Sequence, residues 1–172
     1  MLAETAARQG ERENALREYR QAVELGPKEP EPRLAQVQYL VSIENTEEAG
    51  VMARVGLKAF PANPELNYEL GRLLLGSSQP KDALPYLRIA AGDPALPSAR
   101  RDLADAYAAQ NEPAKAIEAM LPVLGTDHDG SLHYRMARWY RETGQPEKSR
   151  AALAETARLK AKKVEQDQLF LK

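Results

Sequence analysis

Apolar residues recur at helical spacing along the whole chain, and no segment alternates as a strand would. One stretch shows the pattern clearly. Leu132, Met136, Trp139, Tyr140 and Thr143 fall at i, i+4, i+7, i+8 and i+11, which is one face of a helix. Polar breaks interrupt the pattern at Gly10-Glu11, Gly26 to Pro30, Glu44-Asn45, Pro61 to Pro64 and Ser77 to Pro80. Further breaks fall at Gly92 to Pro97, Asn111 to Pro113, Gly125 to Gly130 and Gly144 to Pro146. Together they predict ten helices arranged in pairs. Pro80, Pro113 and Pro146 are predicted in the first turn of a second helix, where a missing N–H costs nothing. Gly10 and Gly144 are predicted to close the helix before, because glycine accepts a positive φ. Pro85 and Pro122 lie inside predicted second helices, where a proline should bend the backbone.

The helical pattern itself repeats. Ala15, Ala49, Ala83, Ala116 and Ser149 follow one another at steps of 34, 34, 33 and 33 residues. Four residues after each come Tyr19, Ala53, Leu87, Met120 and Leu153. Upstream lie Leu70-Gly71-x-x-Leu74, Leu103-Ala104-x-x-Tyr107 and Met136-Ala137-x-x-Tyr140. A fixed period of this length marks a solenoid, whose units bury their apolar faces only by stacking. The repeats read as 1–29 (partial), 30–63, 64–96, 97–129 and 130–160, with 161–172 extending the last helix into a tail. Residues 1–9 supply only the back half of a first helix, so the natural chain is expected to extend further. From Gln145 to about Gln168 the sequence predicts one long capping helix.

These motifs resemble the tetratricopeptide repeat family. Its first helix carries a leucine, a small residue and an aromatic; its second carries an alanine and an aromatic four residues on, as in Ala15 with Tyr19, with a closing proline matched here by Pro27 and Pro61. The resemblance implies an all-α, right-handed α-solenoid of about 4.5 helix-turn-helix repeats, with a concave groove lined by first helices. The family's tryptophan position holds Asn67, Arg100 and His133 here, and Trp139 stands elsewhere.

Composition narrows the function. Alanine is abundant and only 6% of residues are aromatic, which suits close helix packing. With 24 basic and 25 acidic residues the formal net charge is −1, so the chain lacks the basic excess of a general nucleic-acid binder. Cysteine is absent, which excludes disulfides, thiolate metal sites and a cysteine nucleophile. No apolar run is long enough for a membrane-spanning helix. The N-terminus has neither the basic start nor the apolar stretch of a signal peptide.

The densest set of candidate ligands is Thr126-Asp127-His128-Asp129-Gly130 with His133. A calcium loop would need further ligands and a distal glutamate, so the segment is better read as a polar turn in which an aspartate or Ser131 caps the next helix. There is no phosphate loop and no nucleophile beside a base. The expectation is a protein with neither catalytic activity nor a cofactor.

The groove positions are Tyr68, Glu69 and Arg72 in the third repeat, and Arg101, Asp102 and Asp105 in the fourth. Tyr134, Arg135, Arg138 and Arg141 take these places in the last repeat. Some members of the family clamp a chaperone's C-terminal carboxylate with asparagines and lysines. Glu69, Arg72, Asp102 and Asp105 at those places argue against such a clamp here. The arginines could instead hold an acidic peptide through paired guanidinium–carboxylate contacts. The sequence thus points to a protein–protein interaction scaffold presenting a concave groove to a protein or peptide segment, with no nucleic acid and no membrane insertion. The alternatives are a self-associating (homo-oligomeric) or spacer segment of a larger protein, and a non-catalytic regulatory part of an enzyme.

Overall fold

A computed structural model describes residues 2–170, with side chains over 9–168. The elements run α1 (Leu2–Leu25), α2 (Glu31–Ser42), α3 (Thr46–Ala59), α4 (Pro64–Gly76) and α5 (Pro80–Ala90). They continue with α6 (Pro97–Ala109), α7 (Pro113–Met120), a 3₁₀ segment (Leu121–Thr126), α8 (Ser131–Glu142) and α9 (Pro146–Phe170). Each helix packs on the next, and a single core follows the stack from Val37 and Leu40 through Leu70, Leu87, Leu103 and Met120 to Trp139. The small residues of the repeat mark the tight joints. Ala49, Ala83 and Ala116 are fully buried, and Ser149 donates to the Ala137 carbonyl at 2.7 Å. A Cβ on Gly71 would lie 2.7 Å from Leu87, so α4 and α5 approach closely because this residue has none.

One turn geometry joins α2 to α3, α4 to α5, α6 to α7 and α8 to α9. Glu44, Ser78, Asn111 and Gly144 all have positive φ, at 59°, 59°, 59° and 71°. Each donates its N–H to the carbonyl three residues back, and the next residue donates to the carbonyl five back. This doubly bonded, left-handed helix end is the Schellman motif, and it fixes the angle of every hairpin.

The prediction for Gly10 fails. Gly10 falls 34 residues before Glu44, at the turn position of the period, yet α1 runs straight through it as one helix. Pro80, Pro113 and Pro146 each open their helix as predicted. Arg12 stands where those prolines stand, and arginine continues a helix that proline would stop. Nine α-helices therefore occupy the described residues, not ten.

The two interior prolines also differ from one another. Pro85 is carried inside α5. At Pro122 the α-helix has already ended at Met120, and the chain continues as a 3₁₀ segment. A helix commonly stops before the residue preceding a proline, for steric reasons.

The last helix extends far beyond its partner. Its 25 residues accompany only 12 in α8, and beyond Leu159 every described residue is exposed. It is anchored at Gly130, whose φ is 81°. The Thr156 hydroxyl donates to the Gly130 carbonyl at 3.2 Å, and a Cβ there would strike the Thr156 backbone. No helix among the described residues is long and apolar enough to cross a membrane.

Candidate functional site

The first helix α4 touches both α2 and α6, whereas the second helices α3, α5 and α7 approach one another less. The stack therefore curves with first helices inside. On that inner side the structure brings together seven of the ten groove residues read from sequence.

Arg72 of α4 donates to Glu69 at 2.8 Å, and its guanidinium lies 5.9 Å from the centre of the Tyr68 ring. Tyr68 faces Ser98 and Asp102 of α6. Arg101 donates to Ser98 at 2.6 Å. Arg135 of α8 reaches back to pair with Asp105 of α6, and its guanidinium stacks 5.6 Å from the centre of the Trp139 ring. The result is a ladder of alternating charge across α4, α6 and α8. Glu69, Asp102 and Asp105 face Arg72, Arg101 and Arg135, so the ladder is close to neutral.

Burial shifts its titrations. Asp102 is pushed above the usual carboxylate range by desolvation, which outweighs the Tyr68 hydrogen bond and the guanidiniums of Arg72, Arg101 and Arg135. Tyr68 is raised first by burial and then by the Asp102 charge. Burial lowers Arg135, against the pull of Asp102.

Tyr134, Arg138 and Arg141 do not join the ladder. With Ala137, Ser149 and Leu153 they line a small cavity of about 80 Å³ facing α9, and Arg138 pairs with Glu142 at 3.4 Å. The reason is rotational. Three residues advance an α-helix by about 300°, so the face drifts about 60° with each such step. Glu69, read as a groove residue, is itself only 6% exposed and is held by Arg72. Ser98, which accepts from Arg101 beside Tyr68, was not foreseen. Its place one turn before Asp102 on α6 was the available signal.

The Asp127 to His133 segment is built as a helix cap. Asp127 accepts the Gly130 and His133 N–H groups, both at 2.9 Å, and lies 2.7 Å from His133 Nδ1. Asp129 accepts the Ser131 N–H at 2.9 Å. These carboxylates complement the unpaired N–H groups that open α8. Among the described residues no group of three or more histidine, aspartate or glutamate side chains is arranged to hold a metal.

Helix pairs of one period, joined by one turn and curved with first helices inside, define an α-solenoid. The fold is a solenoid of the tetratricopeptide-repeat type: the tetratricopeptide repeat family model matches residues 68–124, and the turn and period continue on either side. Several solved structures share the fold. MamA 41-end from Desulfovibrio magneticus RS-1 aligns with a TM-score of 0.73 at 24% identity, covering 94% of this chain and 92% of that one. Another MamA crystal structure gives 0.77 at 18% identity, covering 94% and 95%. YrrB, described as a TPR protein with an unusual peptide-binding site, gives 0.74 at 26% identity, covering 92% and 83%. No match is found among curated protein sequences.

Proposed function

We propose that this array is a protein-interaction scaffold whose inner face receives a segment of a partner protein. Tetratricopeptide arrays are suited to interaction rather than chemistry, because stacking leaves a long, rigid, side-chain-rich surface. The observation that carries the reading is the ladder from Tyr68 to Arg135. It spans three successive first helices, it is half-buried, and its carboxylates and guanidiniums are pre-positioned in alternation. The balance of charge alters the expected partner. Arg135 is committed to Asp105 and Arg138 to Glu142, so the favoured ligand carries both signs rather than acid alone. The peptide-binding description of YrrB supports a peptide ligand.

Selection of short random peptides on the purified array tests this. Selected sequences should alternate in charge and lose affinity in an Arg72→Ala, Arg135→Ala variant with unchanged helical content. Peptides that bind the variant as tightly as the parent would remove the inner face from the account.

A further inference from the structure

A second surface lies on the outer side. There α3 and α5 stand apart, and α4 forms the floor between them. Two cavities of about 320 and 440 Å³ occupy this gap, and both are lined by Arg54 and Leu70, so they form one continuous trough. Its α3 wall includes Glu47, Gly50, Val51, Arg54, Leu57 and Lys58, one face of that helix from its first turn to its last. Leu57, Tyr86 and Ile89 make the Lys58 end of the trough mainly apolar, whereas the Thr46 end is mainly polar. Val51 and Ile89 remain 49% and 43% exposed, large for aliphatic side chains.

The opening has a cause in the sequence. Gly50 stands where the next two repeats carry Leu84 and Ile117. A Cβ placed on Gly50 would meet only the end of the Arg54 side chain, at 3.3 Å. The missing side chain leaves room in the half of the trough towards Thr46, where only Arg54 lies over the glycine.

We infer that this trough, opened by Gly50 between α3 and α5, docks an acidic amphipathic helix of a partner protein. Length supports a helix: the 14 residues of α3 extend about 21 Å, the length of roughly four helical turns. Charge supports acid. Arg54 and Lys58 border the apolar end, and among the described residues neither belongs to an ion pair. Arg54 meanwhile donates to the Gly50 carbonyl at 3.2 Å, a bond it can exchange for a carboxylate. Glu47 at the other end gives the site a direction, with the partner's carboxylates towards Lys58. The chain's own projecting arm does not fit, because Lys160, Lys162 and Lys163 repeat the sign of Arg54 and Lys58.

Two designed helical peptides provide the probe, sharing a leucine stripe at i, i+3, i+4 and i+7 and differing in glutamate or lysine flanks. Binding is read by fluorescence anisotropy. The parent array should bind the glutamate peptide and discriminate against the lysine peptide. Gly50→Leu, which restores the residue type of the next repeat, should weaken binding by roughly tenfold or more, with its melting curve checked alongside. Arg54→Glu with Lys58→Glu should reverse the preference, a readout that does not depend on the glycine variant folding. Arg72→Ala with Arg135→Ala should leave both affinities unchanged, which separates this surface from the inner face. The inference is overturned by failure of the parent to bind either peptide, or by an unreversed preference. A concentration-dependent mass abolished by Gly50→Leu would overturn it in favour of a second copy in the trough.

Discussion

Left-handed backbone is needed at four equivalent turns, and only Gly144 among them is glycine. Glu44 and Ser78 hold the same conformation with a Cβ that crowds the following carbonyl, at a cost of about 1–2 kcal/mol each. Asn111 is better suited, since its short amide can bond locally. Glu44→Gly and Ser78→Gly should therefore each raise stability by up to about 1 kcal/mol, after the larger entropy of the unfolded glycine chain is subtracted. A lowered urea midpoint in both variants would show that these turns are not strained. The opposite change is expected at the helix joints. Ala116 is fully buried, so Ala116→Leu must push neighbouring helices apart and should cost about 1–3 kcal/mol. Thermal or urea melts of the same series read both effects.

Among the helices, legibility followed the strength of the stop signal. Wherever proline stood at the first turn, as at Pro80, Pro113 and Pro146, the boundary was readable, because proline excludes the alternative of a continued helix. Gly10 lacked such a partner. Glycine permits a turn but costs only about 1 kcal/mol inside a helix, so its presence decides little alone. Pro122 signalled a disturbance, yet its position did not say that the α-helix would end two residues earlier and tighten into a 3₁₀ segment. The capping role of α9 was legible from its polar composition. The structure sharpens that expectation, since Ala152, Thr156 and Leu159 are buried while residues beyond Leu159 are exposed. A chain ending at Lys160 should unfold at the same midpoint as the parent. A chain ending at Arg150 should lose stability or aggregate, because it uncovers Met136 and Trp139. Equal midpoints for both truncations would dismiss α9 as a cap.

At the scale of the molecule, the near-neutral total charge conceals an ordered arrangement, in which the inner face alternates in sign across three helices and the outer trough is basic. The period puts Tyr68, Arg72, Asp102 and Asp105 on one side of the stack, since equivalent positions share a face. It could not show that Arg135 would turn inward while Arg138 and Arg141 turned towards α9, because drift around a helix matters only once neighbours are in place. Gly50 lies on a second helix, outside the face that the first helices present. The inner ladder carries a pH signature. Asp102 is raised by burial, so at neutral pH the folded chain bears the cost of its ionised form. Between the unfolded value and the raised folded value, the folded state binds more protons than the unfolded one. Stability from this group therefore rises as pH falls through the folded value, and levels off below the unfolded value. Asp102→Asn removes that titration while keeping an oxygen that can accept from Tyr68. The variant should be at least as stable as the parent at neutral pH, and the gap should close as acid is added. Urea midpoints for both proteins over a pH series isolate Asp102, since every other titrating group is common to the two. A gap that widens towards acid would mean that the guanidiniums around Asp102 outweigh its burial, and that the ladder stabilises the fold as an ion-pair network.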